Sequence, residues 1–291
     1  PMRSRYTKFV LLAPALIVLL LTTTYPLLYA LVTSFRDWRL NRGPLPRGWV
    51  GFDNYARALT DDGFINSVVV TLIFTVLSVT LSLVLGLAIA LLLNKRGWRY
   101  TAVKSMLLFP FAISPALKGF SWRFMLNPEY GVYTYLIGTL MPSLKHFVWL
   151  STPADALFWI AVSEVWGWAP LMALMFIGAL GAISPEIYEA ANLDGAARWS
   201  TFSRITLPLL APVLLIVTLL RAISSLKMFD QVVTLTGGGP GRSTQTLNYY
   251  IYQVGFRNLD MGYSSALAVM LVLVLSLFAF AYVRLLLGKR A

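Results

Sequence analysis

The chain of 291 residues contains no cysteine and a single histidine. The first absence excludes disulfides, thiolate metal sites and cysteine nucleophiles, and removes any trace of the redox compartment. The second leaves metal chemistry without its commonest ligand. Charge is scarce too: 12% of residues are charged, and 12 Asp and Glu stand against 24 Lys and Arg. With no paired carboxylates, His-Asp constellation or metal-ligand cluster, an intramembrane enzyme has nothing to work with. No Gly-x-x-x-x-Gly-Lys-Ser/Thr phosphate loop occurs, so the chain cannot bind ATP in the usual manner. Gly237-Gly238-Gly239 is no substitute, because Pro240 follows without a Lys-Ser or Lys-Thr pair; it reads as a tight external turn.

What the chain has is apolar surface. Hydrophobic residues make up 58% and mean hydropathy is +0.70, too apolar for a water-soluble domain. The expectation is an all-α polytopic membrane protein with six transmembrane helices, at 9–34, 65–93, 101–124, 156–182, 209–229 and 263–287, each meeting the roughly 20-residue requirement. The first lacks a small-residue cleavage site and is too long for a signal peptide, so it reads as a retained span. Six spans put both termini on one side. Arg3, Arg5, Lys8, Lys95, Arg96, Arg99, Lys104, Arg198, Arg204, Arg284, Lys289 and Arg290 would share that side in short loops and tails. Arg36, Arg39, Arg42, Arg47, Arg57, Lys145, Arg242 and Arg257 would lie opposite, in longer loops richer in acids. Basic residues near span ends stay in the cytoplasm, so the bias puts N and C termini inside. Net charge of +12 is explained by this bias, and no basic soluble face suggests nucleic acid.

Two loops on the far side are rich in turns. Residues 35–64 carry Trp38, Gly43, Pro44, Pro46, Gly48 and Trp49, and residues 125–155 carry Asn127-Pro128-Glu129-Tyr130-Gly131, Pro142 and Pro153. Each is either a contact for an extracytoplasmic partner or a simple connector. On the cytoplasmic side a polar island runs from Glu189-Ala190-Ala191 through Asp194-Gly195 to Ile205, Leu207 and Pro208, with Arg198 and Arg204 in its second half. The two alanines permit close approach of a partner backbone, Gly195 can take a positive φ between two short helices, and Pro208 fits the first turn of the next helix. The result is an exposed helix-turn-helix. The alternative is an amphipathic interfacial helix, against which stands the lack of a large apolar face between Asn192 and Arg204.

This EAA…DG…I-x-L-P pattern resembles the cytoplasmic loop by which ABC importer permeases dock on their ATPase. Further along, Phe229-Asp230, Thr236-Gly237-Gly238-Gly239-Pro240, Thr244, Tyr249-Tyr250-Ile251-Tyr252, Phe256 and Gly262-Tyr263-Ser264-Ser265-Ala266 resemble the first of the two membrane subunits in carbohydrate importers of the maltose-transporter type. The resemblance covers essentially the whole chain. It implies a type I ABC importer permease fold in a bacterial inner membrane, with 1–64 as N-terminal span and external loop and 65–291 as a five-span core holding the coupling loop at 186–208. It implies a non-catalytic subunit surrounded by lipid and paired with a second homologous permease. Two ATPase subunits would bind ATP and Mg, an extracytoplasmic solute-binding protein would deliver the sugar, and this chain would hold no cofactor. Coupling falls on Glu189, Ala190, Ala191, Asp194, Gly195, Arg198, Ile205, Leu207 and Pro208. Transport would proceed by ATP-driven alternating access.

Ionisable residues inside spans are costly and usually face a path or a partner. They are Lys118, Arg123, Glu164, Arg221, Lys227 and Asp230, of which Arg123 and Asp230 lie near span ends. Arg221, about halfway along the fifth span, shares a helical face with Ser225 and Met228 by i, i+4, i+7 spacing. By the resemblance, the substrate path would draw on Arg221, Ser224, Ser225 and Met228 of the fifth span and Gly167, Trp168 and Leu171 of the fourth, with Lys118 as a second unusual cation. Relatives that carry neutral sugars tend to have small polar or amide side chains where Arg221 stands, which suggests an anionic oligosaccharide of uronic-acid type or a sugar phosphate. Alternatively, Arg221 and Lys118 pair with Glu164 or with acids of the partner. Trp159, Trp166 and Trp168 either stack on sugar rings or pack between helices. An ion-coupled secondary sugar transporter is the rival reading; it needs buried acids, of which only Glu164 is a candidate, and leaves the EAA pattern unexplained.

Overall fold

The computed structural model describes residues 2–95, 97–144 and 147–288, with side chains described from residue 11 to residue 284 among these. Arg96, Lys145, Lys289 and Arg290, and the side chains of Arg3, Arg5 and Lys8, all used above for orientation, lie outside the described residues.

Helix α1 (Met2–Leu19) passes through a π turn at Leu20–Thr24 into α2 (Tyr25–Ser34). The wide turn immediately precedes Tyr25-Pro26: proline has no N–H for the carbonyl four residues back, and the ladder relaxes there. Residues 35–64 are more ordered than a loop. They hold a two-residue antiparallel pair, β1 (Arg36–Asp37) with β2 (Gly48–Trp49), and α3 (Asp53–Thr60). Then comes α4 (Asp62–Leu93), 32 residues long.

The third expected span, 101–124, is not one helix. It consists of α5 (Trp98–Met106), α6 (Leu108–Ala112) and α7 (Pro115–Met125), bent by 94° where Ile113 and Ser114 take extended backbone. The cause is local: Pro115 disfavours helical geometry in the residue before it, and Ser114 caps the new helix by accepting from the Leu117 N–H at 3.3 Å. Residues 125–155 include α8 (Val132–Leu140) and lead to α9 (Pro153–Gly181), capped by Thr152, whose hydroxyl accepts the Asp155 N–H at 3.1 Å. Two short helices, α10 (Pro185–Leu193) and α11 (Arg198–Thr201), precede α12 (Leu207–Leu226), and α13 (Leu247–Tyr252) precedes α14 (Met261–Gly288). Among the described residues, five helical runs are long and apolar enough to cross a membrane, six when the bent pair is counted as one span.

The chain divides into two compact units, residues 1–65 with 250–277 and residues 66–249 with 278–291. In the first, Asp61 is the hub: it accepts from the hydroxyls of Tyr250 (2.6 Å) and Tyr263 (2.7 Å) and from the Gly63 N–H at 2.8 Å. Asp260 there binds Arg57 at 2.8 Å and Arg39 at 3.5 Å. Ala58, Val254, Tyr263 and Leu267 form this unit's core. The core of the second joins α4, α9 and α12 through Ala90, Met172, Ala173, Phe176, Leu180, Leu210 and Val217.

Candidate functional site

Of the six ionisable residues expected inside spans, Arg123, Lys227 and Asp230 are exposed, and Lys118, Glu164 and Arg221 are buried together in the second unit. Arg221 has no exposed surface. Its Nη1 lies 3.2 Å from Oε2 of Glu164, its Nε donates to the Ser82 hydroxyl at 3.3 Å, and its guanidinium carbon sits 5.2 Å from the Trp168 ring centroid. Nη1 thus faces the Glu164 carboxylate, while Nη2 has no acceptor among the described residues. Phe111 closes the other edge of Trp168, with ring centroids 5.4 Å apart. Lys118, in the first turns of α7, lies across Gly167 so closely that a Cβ there would overlap its ammonium.

The expected path residues therefore divide. Arg221 and Ser225 do share a face, turned toward α4, where Ser225 and Ser78 hydrogen-bond at 2.8 Å. Met228 does not belong to that face. Helix α12 stops at Leu226, and Met228 is buried beyond it with its carbonyl accepting from Thr246 at 2.9 Å. For the same reason Arg221 lies near the end of its helix and not halfway along it. Ser224, Trp168 and Leu171 are half-buried. Trp159 packs with Trp122, Trp149 and Tyr133, which is helix packing. Trp166 meets Trp122 edge-on, with ring centroids 6.3 Å apart, and stays exposed.

Sequence reasoning missed the residues that hold this cluster. Ser67, Thr71, Ser78 and Ser82 form a buried polar stripe along α4 at helical spacing. Thr71 accepts the Leu247 N–H at 2.8 Å, and Ser78 and Ser82 meet α12. Ser163 donates to Gln231 Oε1 at 2.6 Å, leaving the fully buried Gln231 Nε2 without an acceptor. The available signal was the i, i+4, i+11, i+15 recurrence of hydroxyls in an otherwise apolar run.

The polar island folds as a helix-turn-helix. Pro185 opens α10, and the helix closes through a Schellman motif: Ala196 N–H donates to Ala191 O at 3.0 Å and Gly195 N–H to Asn192 O at 3.1 Å. Gly195 sits at φ +69°, with open space where a Cβ would be. Glu189, Ala190, Asp194, Arg198 and Pro208 are exposed, Ile205 and Leu207 half-buried, and Ala191 buried beneath the turn. Pro208 is in the first turn of α12, yet that helix does not start afresh: Arg198 to Leu226 is one helical run, with a π turn at Phe202–Thr206 before Leu207-Pro208. Two apolar side chains, Leu193 and Trp199, are 89% and 74% exposed at the turn. They lie among exposed Glu189, Asp194, Arg198 and Arg204, as on a docking surface with mixed chemistry.

Residues 78–290 match the family of binding-protein-dependent transport system inner membrane components, and the chain belongs to it. It is a permease subunit of a sugar or oligosaccharide ABC importer. It is 35% identical over 285 residues to the sulfoquinovosyl glycerol transport system permease protein of Agrobacterium fabrum (98% of this chain, 92% of that one). It is 37% identical over 238 residues to the trehalose/maltose transport system permease protein of Thermococcus litoralis (81% and 79%). The fold matches a subunit of a bacterial ABC transporter that imports the acidic polysaccharide alginate, with TM-score 0.84, 21% identity and 98% and 96% of the two chains covered. The architecture is therefore the type I ABC importer permease fold.

Proposed function

We propose that this chain lines the path of an acidic carbohydrate, an oligosaccharide or a small glycoside, and couples its import to ATP hydrolysis on two partner ATPase subunits. The observation that carries the coupling role is the exposed α10–α11 turn, set by Gly195 at φ +69° and continuous through α11 with the span that bears Arg221. A push on such a turn moves a 29-residue helical run as one lever. ATP and Mg would be held by the ATPases, a second homologous permease would complete the path, and a solute-binding protein would load it from outside. Alternating access follows if closure of the ATPase dimer carries the turn with it. The acidic substrate is supported by a buried cluster with two cations and one carboxylate. Relatives' names span both chemistries, a sulfoquinovosyl glycerol permease and a trehalose/maltose permease, so the charge of the solute rests on the site.

Gly195→Pro removes a φ that proline cannot supply, and Glu189→Lys reverses a charge on the docking face. Each is expected to abolish stimulation of ATP hydrolysis by loaded binding protein while the membrane complex still assembles. Full stimulation in either assembled variant would reject the coupling role.

A further inference from the structure

We propose that Lys118, and not Arg221, is the cation that selects the acidic substrate, its ammonium meeting a carboxylate, sulfonate or phosphate of the carbohydrate. This deepens the acidic-substrate reading and rests on it.

Arg221 is already engaged. It has an ion pair with Glu164, a hydrogen bond to Ser82 and a Trp168 face beside it. Lys118 is less deeply placed, though only 3% exposed, and its ammonium makes no ion pair or side-chain hydrogen bond among the described residues. It lies in the fields of both Glu164 and Arg221, which act on it in opposite directions. One carboxylate therefore faces two cations, and Glu164 is closer to Arg221. The surplus positive charge belongs to Lys118, and a buried ammonium without a counter-anion is costly.

The surroundings fit an acceptor-rich ligand. Among the described residues Gln231 Nε2 and Arg221 Nη2 are buried donors without acceptors, and the Gln231 Cα lies 3.2 Å from where a Cβ on Gly119, next to Lys118, would stand. Glycine at 119 and 167 lets α7 wedge in against Thr234 on one side and α9 on the other, which holds the lysine stem at this place. The helix carrying it begins at the 94° break, so Lys118 is held by a short half-helix and not by a continuous span. A lysine on a four-carbon stem can reorient by rotamer change alone, whereas the planar guanidinium, stacked and paired, cannot do so without breaking its contacts.

The test uses the complete complex, both permeases, the ATPases and the binding protein, in proteoliposomes. Uptake is measured for a panel of trigalacturonate, its methyl ester, glycerol phosphate, maltotriose and trehalose. In Lys118→Gln the ratio of acid to ester uptake should fall about tenfold, the size of one lost charge-assisted hydrogen bond. The binding protein's own preference cancels in the comparison with wild type. Lys118→Arg should restore part of the ratio. Gly167→Ala, which displaces the ammonium but keeps its charge, should lower it in the same direction by less. Equal losses of acid and ester in assembled Lys118→Gln complexes would show that the lysine pairs with an acid of the protein, and would overturn the assignment while the substrate reading stands. Wild-type import of neutral sugars with no acid imported would overturn the substrate reading itself, and this assignment with it.

Discussion

Arg221 has no exposed surface, so what it contributes depends on Glu164. Taking both charges out of water costs several kcal/mol per ion, and their attraction offsets that only while both remain. Arg221→Gln alone leaves the buried Glu164 with only the longer-range attraction of Lys118 and should destabilise the complex by up to about 3–5 kcal/mol. Pairing it with Glu164→Gln removes the stranded carboxylate but also the acid that faces Lys118, and so should recover part of the assembled complex. The check is the yield and thermal unfolding of the detergent-solubilised complex for both singles and the double. If Arg221→Gln alone were as stable as wild type, the pair would not be the partner the geometry makes it. Sequence alone marked these cations because charge in an apolar run stands out, and it left open whether they met substrate or Glu164. Which of the two cations takes the one carboxylate depends on where three helices place their side chains. Span periodicity does not encode that. The serines and threonine of α4 were passed over for a related reason: a hydroxyl barely lowers hydropathy, so a polar stripe at helical spacing hides inside an apolar average.

Among the elements, the turn between α3 and α4 carries the second strong electrostatic feature. Burial would push the Asp61 carboxyl up, but hydrogen bonds from Tyr250, Tyr263 and the Gly63 and Phe64 N–H groups outweigh it and hold the carboxyl below the usual carboxylate range. A group whose folded value is depressed contributes stability at neutral pH and loses it as pH falls through that depressed value. The contribution is therefore intact at neutral and mildly acidic pH and should fade only below the ordinary carboxylate range. Asp61→Asn removes the charge at every pH. Asp61→Ala also leaves the buried Tyr263 hydroxyl without its acceptor, at a cost of about 1–3 kcal/mol. Thermal unfolding of the wild type should show an extra loss in strong acid, and the Asn variant a smaller one. Equal acid dependence in the two proteins would show that Asp61 does not titrate as described. The prolines at this scale were legible only in part. Pro26 and Pro208 were visible in the sequence, but whether a proline ends a helix or is absorbed by a π turn that keeps it running, as before both of these, is not encoded in the residue itself. The third span was expected as one helix over 101–124, whereas the extended Ile113 and Ser114 before Pro115 break it.

For the whole molecule, helix number and span positions were readable because about 20 apolar residues are a length requirement that composition alone meets. The expected orientation rests on a moderate excess of basic residues in short loops, and it would place the α10–α11 turn in the cytoplasm and α8 outside. The absence of native cysteine makes this directly testable, since a single introduced thiol is read without background. Ala197 and Thr139 are both exposed in this chain, one beside the coupling turn and the other near the end of α8. In right-side-out vesicles, Thr139→Cys should react with a membrane-impermeant maleimide and Ala197→Cys should not; in inside-out vesicles the pattern should reverse. Adding the ATPase subunits to the inside-out vesicles should then protect Ala197→Cys, because Glu189, Asp194 and Arg198, with Leu193 and Trp199 among them, would be covered by the docked partner. Labelling of Ala197→Cys from outside would invert the topology and remove the turn from the ATPases. Labelling from inside that the ATPases leave unchanged would keep the topology but move the docking surface elsewhere on the chain.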